Sequence, residues 1–177
     1  MNLTLPGIDT NDMRKTYCTL KFYKSLLVCL PLFSDHINSD VMTDDNIIED
    51  KKLPEAVQFF EDWCIQFLDR IFVMLSHQSP PKKDSSNSGD TISPSMFWSI
   101  CDLFFNQLSP GLHDRCLKKV FNFLNSEFLI NAKKNIGHMC SAISFSDPKN
   151  TLDLFVPMCY DRLVDKNGKL KHLTESE

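Results

Sequence analysis

The sequence predicts an all-α fold, and its composition and the spacing of its prolines carry that prediction. Fourteen phenylalanines against five glycines in 177 residues favour densely packed helices over a loop-rich chain. Pro54, Pro94, Pro110 and Pro148 each stand just ahead of an apolar stretch with helical spacing, where the N–H that proline lacks would have no partner anyway. The first two are 40 residues apart and the last two 38. A helix pair recurring at that length predicts antiparallel helix pairs stacked as a HEAT-like α-solenoid segment.

The first half of the chain is predicted to form two helices separated by polar segments. The first helix is predicted over residues 1–33, starting near residue 9, and an acidic loop over 34–53. The second helix is predicted over 54–77, and a flexible Ser/Pro-rich linker over 78–92, because that composition buries too little apolar surface to order its backbone. The buried face of the first helix is predicted, from its 3-to-4 spacing, to comprise Tyr17, Leu20, Tyr23, Leu27 and Leu30.

The second half predicts two HEAT-like helix pairs over residues 93–165 and a polar tail over 166–177. Ser93, Ser109 and Asp147 precede three of the prolines, as N-cap residues do because their side chains accept a free helical N–H. Short connections make neighbouring helices antiparallel. The helices are predicted over 94–108, 110–124, 128–145 and 148–164, with a kink in the last at Pro157. The predicted buried face of that last helix comprises Leu152, Phe155, Val156, Cys159 and Leu163.

Charge and cysteine usage exclude several classes of protein. A net charge of -4 offers no overall basic footprint for nucleic acid. No apolar run reaches the roughly 18 residues of a membrane span, and the first residues lack the charged lead of a secretory signal. The seven cysteines form no CxxC pair, which predicts free thiols in a reducing compartment, the nucleus or cytoplasm.

Candidate chemical sites are few, and we expect no catalytic, cofactor-binding or metal-binding residue. His113 lies three residues before Cys116, and His138 two before Cys140. Structural zinc takes four ligands, however, and a two-residue step points side chains to different sides of a helix. Neither a nucleophile elbow nor a phosphate-binding glycine loop is present in the sequence. A thiol enzyme based on Cys64 or Cys140 is the least favoured hypothesis.

The basic and aromatic clusters each admit two explanations. Lys82 and Lys83 beside two prolines form either a docking patch or, as we favour for so short a run, part of a solvated linker. The acidic loop is likewise more typical of a solvated surface than of a binding site. Seven aromatic residues at helical spacing predict core packing rather than a ligand cage. They are Phe59, Phe60, Trp63, Phe67, Trp98, Phe104 and Phe105.

Four segments in order carry a resemblance to a known family. They are residues 5–12 (LPGIDTND), 66–70 (QFLDR), 119–123 (KVFNF) and 152–159 (LDLFVPMC). With them the chain resembles the middle HEAT-repeat region of the proteasome activator complex subunit 4 family, the large single-chain proteasome activators. The resemblance spans most of residues 5–163, and the acidic loop and the linker depart from it.

This resemblance implies a function for the chain. Family members form a long superhelix that caps the proteasome core particle and promotes ubiquitin-independent degradation of peptides and proteins, including acetylated histones. The implied location is the nucleus and cytoplasm, with DNA repair among the implied processes. Members dock through a penultimate tyrosine, where this chain has Ser176, and the acetyl-lysine-reading region lies outside the matched part. No functional residue of the family is therefore carried over.

The resulting hypothesis is a scaffold and interaction surface of a proteasome activator, with no catalysis and no direct contact with nucleic acid or membrane. The alternative is a free-standing helical adaptor that binds a partner peptide or helix in its concave face. Because family members are many times longer, we expect either a fragment or a shortened relative. A repeat array cut at both ends exposes apolar faces, so we also expect marginal stability or self-association.

Overall fold

A computed structural model describes residues 2–29, 52–78, 92–127 and 129–164 of the chain. The elements in those ranges are helical, which confirms the predicted all-α class. None of these described helices is long and apolar enough to cross a bilayer. In order they are a 3-10 helix Asn2–Gly7, α1 Met13–Cys29, α2 Lys52–Ser76, α3 Pro94–Asn106, α4 Pro110–Ser126, a 3-10 turn Ile130–Ala132, α5 Lys133–Ser146 and α6 Pro148–Leu163.

Three of the helices begin where the proline pattern predicts. The Ser93 hydroxyl accepts a first-turn N–H of α3 at 3.2 Å, and the Ser109 hydroxyl accepts one of α4 at 3.4 Å. At the start of α6 the Asp147 carboxylate accepts a first-turn N–H at 3.2 Å. A proline follows each cap in the first helical turn. Local chemistry alone therefore sets these three starts.

The helices lie in two layers, and α3 packs between α1 and α5 in the first layer. The Gln107 side chain, just past the end of α3, donates to the Leu27 carbonyl near the end of α1. Ser146 at the end of α5 contacts His113 in the first turn of α4. Because α4 begins within four residues of the end of α3, all three helices of the first layer end at the same edge.

The second layer contains α2, α4 and α6, with α4 in the middle. The salt bridges Arg115–Glu61 at 2.6 Å and Lys119–Asp69 at 2.7 Å join successive turns of α4 to successive parts of α2. In the last turn of α6, Arg162 donates to a carbonyl in the last turn of α4 at 2.7 Å. These three helices therefore run in one direction, opposite to the first layer. The pairs α1–α2, α3–α4 and α5–α6 stack side by side, which confirms the predicted solenoid segment.

An aromatic cluster fills the space between the layers. The ring centroids of Trp63 and Phe67 on α2 lie 5.2 Å apart, and the ring of Tyr23 on α1 contacts both of them edge-on. Phe104 of α3 contacts Phe67 with ring centroids 5.1 Å apart. These four side chains are among the largest fully buried ones. Trp63, Phe67, Phe104 and Phe105 are thus core, as predicted. The prediction is wrong for Phe59, which is 64% exposed, and Phe60 and Trp98 are only half-buried.

The prediction of one helix over residues 1–33 is wrong at its start. Asn2–Gly7 forms a separate 3-10 helix, and α1 begins only at Met13. The Asp12 carboxylate caps α1 by accepting the N–H of Lys15 at 2.9 Å. This cap is visible in the sequence, but no proline marks it, so the periodicity alone placed the start too early.

The N-terminal 3-10 helix packs back against α1 and α2. It buries Leu5, and the turn after it buries Ile8. Gly7 approaches α1 so closely that a β-carbon there would collide with the Thr19 side chain. This tertiary contact explains why the segment does not simply extend α1.

The prediction that a helix starts at residue 128 is also wrong. A 3-10 turn over Ile130–Ala132 comes first, and α5 starts at Lys133. Neither Leu129 nor Ala132 provides a side-chain cap. The Ala132 N–H instead bonds the Leu129 carbonyl at 3.2 Å, so a tighter turn satisfies a donor that a cap would otherwise take.

The predicted buried face of α6 is only partly correct. Phe155 is buried, but Leu152, Val156, Cys159 and Leu163 are exposed. The physical reason is that α4 and α5 contact only one side of α6. The apolar pattern of the sequence identifies which residues favour burial, but it does not say whether a neighbour covers them.

Several predictions concern parts of the chain outside the described residues. The acidic loop 34–53, the linker 78–92 and the tail 166–177 lie there except for short ends, together with Lys82 and Lys83. The loop, linker and tail assignments therefore stay predictions. The predicted kink at Pro157, which lies inside the described helix α6, also stays a prediction.

Substitution of Phe67 by Ala should lower the free energy of unfolding by about 3–5 kcal/mol, because it opens a cavity in the aromatic cluster. Phe67 is 2% exposed. Phe59→Ala, the same change on the exposed side of the same helix, should alter it by less than about 0.5 kcal/mol. Urea unfolding followed by circular dichroism measures both values. Equal losses for the two variants would contradict this placement of the core.

Candidate interaction surface

His113, which the sequence analysis weighed and rejected as a metal ligand, lies in the core at 5% exposure. It stands in the first turn of α4, and its ring meets Phe105 edge-on. Its Nε2 is 2.5 Å from the Ser146 hydroxyl, and its Nδ1 is 3.9 Å from the Asp147 carboxylate. The cluster ties the start of α4 to the turn between α5 and α6.

Burial dominates the electrostatics of His113. It lowers the pKa of the imidazole, while the carboxylates of Asp147 and Asp114 act in the opposite direction. Serine, histidine and aspartate are also the residues of a hydrolase triad, in which the serine must attack a bound substrate. Here the ring is enclosed between helices, and Ser146 and Asp147 are consecutive residues of one turn. We assign the cluster a structural role.

The chain should become less stable as the pH falls below about 6.5, because the unfolded chain then binds the proton of His113 more readily than the folded chain does. His113→Gln keeps a hydrogen-bonding group for Ser146 but does not titrate, so its stability should depend less on pH. Urea titrations at about pH 5.5 and about pH 7.5 measure the difference between wild type and variant. An identical pH dependence in both proteins would contradict this account.

The other metal candidates are not assembled into a site. Cys116 is buried on α4, and His138 and Cys140 are half-buried on α5. Within the described ranges, no group of three His, Cys, Asp or Glu side chains is placed to hold a metal ion. The fold therefore adds no third ligand from the described residues to either of the two His/Cys pairs of the sequence.

Burial also sets the chemistry of the cysteines. It raises the pKa of Cys116 to about 12 and that of Cys140 to about 11. It raises the pKa values of Cys64 and Cys101 as well. Such thiols stay protonated at neutral pH and are poor nucleophiles. This counts against a thiol enzyme at Cys64 or Cys140.

A thiol reagent such as dithionitrobenzoate should react quickly with Cys18, Cys29 and Cys159 in the native chain, because these three are exposed. The other four thiols should react only after unfolding. The time course of absorbance, followed by mass spectrometry of the labelled peptides, identifies each site. Fast stoichiometric labelling of Cys64 in the native chain would reopen the enzyme hypothesis.

One exposed surface is a groove of about 660 Å³ between α1 and the start of α3. Lys21 and Lys24 give it positive charge, while Val28 and Met96 provide apolar contact. Polar groups complete the wall, from Tyr17, Ser25, Cys29, Ser93 and Ser95. This combination suits a polar or acidic segment of a partner. The sequence analysis missed it, because a single helix does not reveal which helix lies beside it.

A second exposed surface lies along α6. Leu152, Val156, Cys159 and Leu163 are spaced by four, three and four residues, so they lie along one side of the helix. We call this set the outer stripe. Leu152 is 52% exposed, Val156 57% and Leu163 48%. The 4-3-4 spacing was visible in the sequence, but only the packing of α6 shows that no other described helix covers this side.

The chain matches the model of the family described as "Proteasome activator complex subunit 4, mid HEAT repeats region" over residues 33–166. The chain belongs to this family. The match covers α2 to α6 and confirms the resemblance carried by the segments 66–70, 119–123 and 152–159. It also agrees with the three stacked helix pairs, which are the units of a HEAT array.

Curated relatives bear the same family name. The chain is 28% identical to proteasome activator complex subunit 4B of Danio rerio, over 98% of this chain and 10% of that relative. It is 28% identical to proteasome activator complex subunit 4 of Homo sapiens, over 88% of this chain and 9% of that relative. For proteasome activator subunit 4 of Arabidopsis thaliana the values are 25%, 84% and 8%. The chain thus spans about a tenth of the length of the relatives it matches.

Proposed function

We propose that this chain forms part of the wall of a proteasome activator, which caps the proteasome core particle and promotes ubiquitin-independent degradation of peptides and proteins. The observation that supports this most is the family match over residues 33–166. That range contains the helix pairs whose packing is described above. In this role the chain contributes shape and surface, and peptide hydrolysis takes place in the core particle.

The physical properties of the segment suit a wall. In a HEAT array each helix pair contacts only its neighbours, so pairs add up to an extended, curved surface. The aromatic cluster packs α1, α2 and α3 against one another, and the buried histidine and cysteines contribute to packing. Stacked helix pairs that leave a groove exposed suit an enclosing scaffold.

The proposed partner is the proteasome core particle, in the nucleus and cytoplasm. Because the chain spans about a tenth of the length of its relatives, contact with the core particle is proposed for an activator as a whole and not for a particular residue of this segment. Acetylated histones are proposed substrates on the same basis. Neither nucleic acid nor a membrane is proposed as a direct partner.

A free-standing adaptor is the second candidate, and the groove between α1 and α3 favours it. Lys21 and Lys24 line one side of that groove, and Met96 lies on the other. An extended acidic or polar peptide would find both charge and apolar contact there. Such an adaptor would work without any proteasome.

A native gel of cell extract separates the two proposals. The extract is probed with an antibody to residues 94–163 and overlaid with a fluorogenic peptide that the proteasome cleaves. For a proteasome activator we expect one very large band with both the antibody signal and peptidase activity, because the protein then migrates with the core particle.

Depletion of the core particle from the same extract is the matched control, and it should remove that band. An antibody signal near the 20.4 kDa of the chain, away from peptidase activity and unchanged by depletion, would overturn the activator proposal. The adaptor would then be the better account.

A further inference from the structure

The groove between α1 and the start of α3 is a basic surface on a chain of negative net charge. Helix α1 carries Arg14, Lys15, Lys21 and Lys24 and no acidic residue, whereas the whole chain has a net charge of -4. Lys21 and Lys24 line the groove, and none of the described residues that line it is acidic. Within the described part of the chain, neither of these two ammonium groups forms an ion pair. The groove therefore offers positive charge that no described carboxylate pairs with.

The start of α3 adds to the positive potential of the groove. Ser93 caps this helix, and Ser95 and Met96 of its first turn line the groove with it. The N-terminus of a helix carries about half a positive charge, which favours a carboxylate as the lysines do. Ser25, Ser93 and Ser95 also place hydroxyl groups in the wall. An extended peptide has backbone N–H and C=O groups free to bond such hydroxyls, whereas a helix uses its own internally.

The α1 side of the groove sets the spacing of an extended partner. Tyr17, Lys21, Lys24 and Val28 line the groove at steps of four, three and four residues, which places them along one side of α1 over about 17 Å. Every second side chain of an extended peptide points to the same side, at intervals of about 6.7 Å. Two carboxylates two residues apart therefore reach Lys21 and Lys24, whose long side chains take up the difference from their axial separation of about 4.5 Å. An apolar side chain two residues further on meets Val28.

We propose that the groove binds an extended acidic peptide of the pattern Glu-x-Glu-x-Leu, in which Asp can replace Glu and another large apolar residue can replace Leu. Lys21 and Lys24 bind the two carboxylates, and Val28 and Met96 contact the apolar side chain. This inference rests on the second proposed function, peptide binding in this groove, and it names the class of peptide. Because the groove lies within this chain, it is also present in a segment of an activator, so the test below and the native gel can fail separately.

A nuclear magnetic resonance titration of the full 177-residue chain tests the proposal directly. The isotope-labelled chain receives the peptide acetyl-Thr-Glu-Thr-Glu-Thr-Leu-amide at about 50 mM salt, where charges are screened less than at physiological ionic strength. We expect shifts of the backbone amide signals of α1 from Tyr17 to Cys29 and of Ser95 and Met96. The matched peptide with glutamine in place of both glutamates should bind at least about tenfold more weakly, because it offers no charge to the lysines.

Charge reversal in the groove tests the two lysines. The double variant Lys21→Glu, Lys24→Glu should bind the acidic peptide at least about tenfold more weakly. The control Lys133→Glu, Lys134→Glu makes the same change in net charge at exposed positions at the start of α5. It should alter the affinity by less than about twofold, because salt screens charges that lie outside the groove. Circular dichroism establishes that both variants are folded.

The order of residues in the peptide tests the extended binding mode. The peptide acetyl-Thr-Glu-Glu-Thr-Thr-Leu-amide has the same composition, but its adjacent carboxylates point to opposite sides of an extended chain. Only one of them can then reach the lysines, so this peptide should bind roughly threefold to tenfold more weakly. Equal affinity of the two peptides would contradict the proposed pattern.

Three further results would overturn the proposal. One is a titration in which millimolar peptide leaves the signals of α1 and Ser95 unchanged. Another is an equal loss of affinity in the two double variants, which would indicate attraction by net charge alone. The third is binding that appears only when the acidic residues of the range 34–50 are replaced by their amides, which would assign the groove to the chain's own acidic segment.

Discussion

The stacking of aromatic rings between the two helix layers is the constraint on which the rest of the structure depends. Trp63 and Phe67 of α2 lie against Tyr23 of α1 and Phe104 of α3, so three helices from both layers meet at one point. Large flat rings pack well only in a few relative orientations. Their contacts therefore set both the distance between the layers and the register of the helix pairs. A smaller side chain in this cluster would leave a cavity that neighbouring helices fill only in part.

Once this register is set, weaker interactions follow from it. The salt bridges between α2 and α4 connect side chains that already face each other, and exposed pairs of this kind add little stability. The contact of His113 with Ser146 is similar, since it joins helix ends that the core has brought together. The same register creates the groove between α1 and α3. Surface features of this segment are thus consequences of the core rather than independent sites.

Packing also accounts for several side chains that could carry chemistry. A repeat array uses burial to build shape, and Cys64, Cys101, Cys116 and His113 are buried within this one. Recognition requires exposed surface with a definite pattern, and this chain offers a charged groove on one layer and an apolar stripe on α6. The first suits a polar segment, and the second suits another helix. Membership of a family of proteasome activators is consistent with a segment that works through such surfaces.

The sequence by itself determined whatever depends on neighbours along the chain. Ser93, Ser109 and Asp147, each followed by proline, set three helix starts, because a cap and its N–H lie within one turn. The 3-to-4 spacing of apolar residues likewise identified Leu20, Tyr23 and Leu27 as the core side of α1, although Tyr17, predicted on the same face, is 39% exposed. Tertiary structure alone decided that Leu5 and Ile8 pack beneath α1 rather than lengthening it. It also decided that the outer stripe of α6 is exposed while Phe155 is buried. The physical reason is that hydrophobicity expresses a preference for burial, whereas burial itself requires a second surface, which only the assembled fold provides.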